Sequence, residues 1–136
     1  MRVFLDANVL FSAAKSDGAV RALLRSLVEH GHECWADDYV VAEAHRNLAV
    51  KGGDALQVLH ALLTHVQSAR GLAPGRATPA VDWLPPKDRP VLAAAIHLRC
   101  DVLVTGDRTH FGPGYGRAFE GVTVHSPRSL AEMLLG

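Results

Sequence analysis

Arg2-Val3-Phe4-Leu5-Asp6-Ala7-Asn8 and Asp101-Val102-Leu103-Val104-Thr105-Gly106-Asp107 are the stretches whose reading decides the fold. Each runs a short apolar strand into turn residues and an aspartate. An apolar run of this length reads as a strand buried on both faces, the habit of parallel sheets. In an open α/β sheet, ligands bind in the crevice beyond the carboxyl ends of the strands. Two carboxylates delivered there repel each other, so something positive should hold them, and a divalent metal site is the leading expectation.

Outward from these strands the pattern alternates. Residues 2–6 read as the first strand. Ser16 or Asp17 is placed to cap a helix in which Val20, Leu23, Leu24, Leu27 and Val28 form an apolar stripe, and Gly31 is placed to end it. Residues 32–36 read as a short strand. Asp37 or Asp38 then opens a helix carrying Val40, Val41, Ala44 and Leu48, stopped near Gly52-Gly53. A further helix from about Asp54 carries Leu56, Leu59, Leu62 and Leu63, and 65–69 read as a strand. Residues 71–86 hold four of the seven prolines and so read as a long loop, a kind usually functional or mobile. Asp88 is placed to cap a helix through Leu98, 101–105 form a strand, 112–116 a loop and 122–125 a last strand. Ser126-Pro127 supplies cap and first-turn chemistry for a terminal helix. Such alternation implies one α/β domain over 1–136 with a mostly parallel sheet.

The composition sets limits. With 136 residues, 49% of them apolar and 21% charged, the chain is expected to fold with a substantial core. Lys plus Arg and Asp plus Glu both total 14, so attraction to a polyanion must be local or supplied by a bound cation. Cys34 and Cys100 stand far apart and read as buried thiols of a reduced compartment. Charges or glycines interrupt every apolar run and the start resembles no signal peptide, so no membrane contact and a cytoplasmic location are expected.

Asp6 and Asp107 close strands, Glu43 lies one turn into a helix, and Asp88 opens another. Helices that follow parallel strands begin at the carboxyl edge, so the four acids are expected to converge there. Each has a bland alternative: Asp6 and Asp107 as turn formers, Asp88 as an N-cap, Glu43 as a solvated residue near a favourable dipole end. Asp6, at the end of a buried strand with Asn8 two residues on, fits the bland reading least well.

In their order along the chain, Val3-Phe4-Leu5-Asp6-Ala7-Asn8-Val9-Leu10, Val41-Ala42-Glu43, residues 87–95 and Leu103-Val104-Thr105-Gly106-Asp107-Arg108-Thr109-His110-Phe111 resemble the PIN-domain family. Many of its members are small ribonucleases, including toxins of the VapC type. The resemblance runs from Met1 to the terminal helix. It implies a three-layer α/β/α sandwich with an acidic cleft for Mg²⁺ or Mn²⁺. It further implies a catalytic quartet of Asp6, Glu43, Asp88 and Asp107, with Asp6, Asp88 and Asp107 as metal ligands, Glu43 orienting water, and Asn8 and Thr105 as supporting polar groups. RNA as substrate, an antitoxin protein as partner and a homodimer follow as expectations from the same resemblance. Where other members carry an additional acid after the fourth, this chain reads Arg108-Thr109-His110, which puts a second metal in question.

Lys15, Arg46, Lys51, Lys87, Arg89 and Arg108 fall near the same edge, as phosphate contacts or as ordinary surface charge. Trp83 either stacks on a base or anchors its loop. Val40, Val41 and Leu48 serve a partner contact or the core. His30, His32 and Cys34 alternate, but no His-Glu-x-x-His or Cys-x-x-Cys accompanies them, so zinc is disfavoured. His110 contacts phosphate or packs beside Phe111. Two rival functions remain: a non-catalytic PIN-like module binding RNA or protein, and a phosphatase of the haloacid-dehalogenase type. The latter needs a second Asp where Asn8 stands.

Overall fold

The computed structural model describes residues 1–71 and 78–135; part of the expected 71–86 loop lies outside them. Among the described residues six strands form one sheet: β1 (Arg2–Leu5), β2 (Glu33–Asp37), β3 (Val66–Ala69), β4 (Val102–Val104), β5 (Ala118–Phe119) and β6 (Val122–His125). Their spatial order is β3-β2-β1-β4-β6-β5, parallel except for the β5–β6 pair. Helices α1 (Ala7–Lys15), α2 (Ala19–Glu29), α3 (Asp38–Lys51), α4 (Ala55–Leu63), α5 (Arg89–His97) and α6 (Pro127–Leu135) flank it, giving the expected three-layer α/β/α sandwich.

The two strands that run into aspartates, β1 and β4, are neighbours at the centre. Val3 pairs with Val102, Phe4 with Leu103 and Leu5 with Val104. Val3, Phe4, Leu5, Leu103 and Val104 are fully buried, which explains their unbroken apolar pattern. Each such side chain contributes roughly 1.5–3 kcal/mol by leaving water. The ladder runs one step further, because the Asp6 amide donates to the Val104 carbonyl at 3.1 Å. Asp6 and Thr105 therefore leave the sheet side by side.

Local boundaries differ from expectation in instructive ways. The first strand stops at Leu5, and Asp6 is the N-cap of α1, its carboxylate accepting from the Ala7 amide. Helix α1 had no counterpart in the expected elements; it packs against α2, α3 and α4. Neither Ser16 nor Asp17 caps α2; the cap is Gly18, without a side-chain bond. The end of α2 is as expected: Gly31 has φ of 79°, and the His32 amide reaches back to the Leu27 carbonyl at 2.9 Å. Asp37 caps α3 and Ser126 caps α6. Asp88 stands at the N-cap position of α5 but makes no cap bond, so the bland reading of that residue fails. Val40 and Leu48 are fully buried and Val41 packs against the core, so these three are core rather than docking residues. Trp83 anchors its loop, stacking on Phe119 at 4.8 Å and donating to the Ala80 carbonyl at 2.9 Å. Cys34 and Cys100 are free and buried, and burial pushes their thiols up to about 11 and about 12.

Candidate metal centre

A cleft of about 580 Å³ opens at the carboxyl edge of β1 and β4. Asp6, Asn8, Glu43, Asp88, Gly106 and Asp107 line it, with Lys51 and Lys87 at its margin. All four acids singled out in the sequence thus reach one hollow. A second hollow, about 370 Å³ and walled largely by Leu24, Val28, Val58, Leu62 and Val66, has Glu29 as its only carboxylate. Only the first has the charge pattern for cation chemistry.

Asp6 is the most constrained member. One oxygen accepts from the Ala7 amide at 2.7 Å; the other accepts from the Thr105 hydroxyl at 2.7 Å and the Asn8 amide nitrogen at 3.2 Å. Asn8 also ties the two strand ends together, its carbonyl accepting from the Gly106 amide at 2.7 Å. Thr105 in turn accepts from the Asp107 amide at 3.2 Å, so one hydroxyl couples the two strand-end aspartates. Three donors on a carboxylate ordinarily lower its pKa. Here burial outweighs them: Asp6 is 4% exposed and its carboxyl is pushed up to about 6, with Glu43 and Asp88 adding repulsion. Burial also raises the Asp88 carboxyl, against the pull of His110.

Asp88, Asp107 and His110 form the tightest group. His110 Nδ1 lies 3.0 Å from Asp88 Oδ2 and 3.0 Å from Asp107 Oδ2, and one donor atom from each residue lies within 4.8 Å of the others. Yet neither Asp88 Oδ2 nor His110 Nδ1 makes a hydrogen bond: the atoms are close but off axis. Buried polar atoms without partners are expensive, and such an orphan calls for an explanation such as an ion. Two carboxylate oxygens and an imidazole nitrogen within 4.8 Å of one another fit a divalent cation. No other trio of metal-capable side chains is drawn together among the described residues.

Two tyrosines fix the backbone beneath the acids. Tyr39 donates to the Lys87 carbonyl at 2.6 Å, just before Asp88, and Tyr115 donates to the Thr105 carbonyl at 2.8 Å. His110 is the residue whose position sequence reasoning did not anticipate. Its amide donates to Asp107 Oδ1 at 3.1 Å, a turn that swings the ring back over the acid three residues earlier. The Asp-x-x-His spacing was the available signal. Of the expected cations, Lys51 and Lys87 reach the cleft, whereas Arg89 is occupied with the Leu84 and Asp82 carbonyls.

The PIN domain model matches residues 2–109. The chain belongs to the PIN-domain family. Solved structures agree on the fold of this PIN domain. A chain of VapBC2 from Rickettsia felis, crystallised with a DNA fragment from the promoter, superposes with a TM-score of 0.68 at 15% identity, over 93% of this chain and 98% of that one. A chain of FitAcB from Neisseria gonorrhoeae gives 0.64 at 20% identity, with the same coverages. A chain of FitAB bound to the IR36 DNA fragment gives 0.63 at 17%, over 92% and 94%. No curated protein matches the chain. Among the described residues no helix is long and apolar enough to cross a membrane.

Proposed function

We propose that this PIN domain is a metal-dependent ribonuclease of the cytoplasm, the toxin of a toxin–antitoxin pair. The observation that carries the reading is the meeting of Asp6, Glu43, Asp88 and Asp107 in one cleft of a PIN-family fold. Asp6, Asp88 and Asp107 would hold Mg²⁺ or Mn²⁺, and the off-axis, partnerless atoms of Asp88 and His110 suit such an ion. Bound there, the ion supplies Lewis-acid stabilisation of charge developing on a phosphodiester.

The chain's own residues do the rest. Thr105, Asn8 and the Ala7 amide hold Asp6 in one rotamer, leaving a lone pair on the oxygen that accepts only from Ala7. Glu43, half-buried on α3, faces the cleft as the carboxylate that orients water and takes up its proton. Lys51 and Lys87 contact flanking phosphates and position the strand without reading its bases. The proposed antitoxin blocks the enzyme by placing a segment in the same cleft, and the toxin works as a homodimer. The likeness to chains from the VapBC2 and FitAB complexes supports a protein partner.

The test is cleavage of a panel of structured and single-stranded RNAs with Mn²⁺ or Mg²⁺. Wild type is expected to cut, and Asp107→Asn is expected to lose about 100-fold or more in rate while keeping its fold. The reading fails if no RNA is cut with Mn²⁺ and Asp6→Asn leaves metal binding unchanged. Co-purification with the product of the adjacent upstream gene tests the partner separately.

A further inference from the structure

We infer that His110 is a direct metal ligand and makes this centre select a first-row transition ion, with Mn²⁺ the probe, over Mg²⁺. The inference rests on the metal-site reading above and adds a nitrogen donor to a set otherwise built of oxygen.

The separations are those of neighbouring donors on one ion. In an octahedral shell with bonds of about 2.1 Å, adjacent donors stand about 3 Å apart, and each lone pair points about 45° off the line joining them. His110 Nδ1 stands 3.0 Å from both carboxylate oxygens and is directed at neither well enough to hydrogen-bond. An ion pair formed for its own sake would place the N–H on an oxygen, since alignment is where such a bond gains its strength. The His110 side chain is one-third exposed, although Nδ1 itself is buried. What holds it is the turn between its amide and Asp107, which places Nδ1 beside both carboxylates before any ligand arrives.

Selectivity follows from donor chemistry. Mg²⁺ is hard, keeps its waters and takes carboxylate oxygen; imidazole suits borderline transition ions, whose affinity for nitrogen exceeds that of Mg²⁺. A centre of two carboxylates and one imidazole therefore binds Mn²⁺ through three protein atoms but gives Mg²⁺ only two that it favours. Asp6, already engaged by three donors, contributes to either ion alike.

Pulsed electron paramagnetic resonance of wild type loaded with Mn²⁺ alone is expected to show nitrogen coupling to the metal, absent in His110→Ala. Titration calorimetry is expected to give Mn²⁺ at least about 10-fold tighter than Mg²⁺ in wild type. His110→Ala should lose most of that preference by weakening Mn²⁺ alone, and His110→Asp should keep Mg²⁺ affinity while erasing it. Missing nitrogen coupling in Mn²⁺-loaded wild type, or equal loss of both ions in His110→Ala, overturns the assignment. That spectrum needs no variant to fold. RNA cleavage without nitrogen coupling defeats this inference alone, whereas coupling without cleavage defeats the nuclease reading alone.

Discussion

Asp6 and Asp88 line the same cleft, yet they are held in opposite ways. Asp6 is almost sealed, with three donors on its two oxygens. Asp88 sits where a helix cap would sit, makes no cap bond, and leaves an oxygen unmatched beside His110. One half of the cleft is thus prebuilt by the sheet, and the other is left electrostatically incomplete. The sheet-built half sets position; in the proposed metal centre, the incomplete half would give a cation its reason to bind. A site made only of the first kind would have little affinity left, and one made only of the second would be poorly ordered.

The largest effect expected from this contrast is a dependence of stability on pH. The Asp6 carboxyl titrates at about 6 in the fold against 3.8 for the free side chain, because burial disfavours its charged form. A pKa raised on folding means that Asp6 stabilises the fold in full below about pH 4, and that this contribution is lost as pH rises through about 6. The difference corresponds to about 3 kcal/mol, or roughly 10 °C in Tm. Metal-free protein should melt lower at pH 7.5 than at pH 5. Mn²⁺ should flatten the trend, and Asp6→Asn should remove most of it. An unchanged slope in Asp6→Asn would show that the two halves of the cleft do not differ as described.

Next comes Thr105→Val, which keeps shape and removes the hydroxyl that serves Asp6, Asn8 and the Asp107 amide. A lost hydrogen bond to a buried charged group costs about 2 kcal/mol. Urea unfolding at pH 7.5 should show that loss, with a smaller one at pH 5 where Asp6 is neutral. An equal loss at both values would mean that the hydroxyl serves the backbone rather than the carboxylate.

The contrast also marks where sequence stops being informative. The buried central strands, the Asp37 and Ser126 caps and the Gly31 stop were legible because each rests on local chemistry: unbroken apolar runs, short acceptor side chains, positive φ. Helix α1 was equally local, since Val9, Leu10, Ala13 and Ala14 form its buried face. Treating Asp6 as the end of a strand hid its role as a cap. By contrast, β5 is two residues long and exists only through its pairing with β6, so no run of Ala118-Phe119 could announce it. The meeting of the four acids was inferable from topology. That Asp88 would forgo capping and that His110 would turn back over Asp107 depend on packing between remote segments. The sheet-built half was readable; the incomplete half was not.

A region away from the cleft supplies a control. A Cβ on Gly114 would meet the Trp83 ring at 2.5 Å and Phe119 at 3.2 Å. Gly114→Ala should therefore cost about 1.5 kcal/mol by overpacking, with no change in Mn²⁺ affinity. Altered metal affinity would mean that the Trp83 cluster also shapes the cleft.

The smallest effect tests how the incomplete half keeps its place. Asp88 has no side-chain bond to its own helix, so its backbone must be fixed by something else. The Tyr39 hydroxyl does this, donating to the Lys87 carbonyl one residue earlier. Tyr39 is 39% exposed, and water can replace the lost partner, so Tyr39→Phe should lower stability by only about 0.5 kcal/mol. Metal affinity should respond more than stability does, falling several-fold, because the Asp88 carboxylate depends on that peptide for its direction. Tyr115→Phe removes the corresponding bond at the sheet-built half, where Thr105 is already held by the Asp6 carboxylate and the His125 carbonyl. It should change metal affinity less than Tyr39→Phe. A larger loss from Tyr115→Phe would reverse the assignment of which half needs outside support.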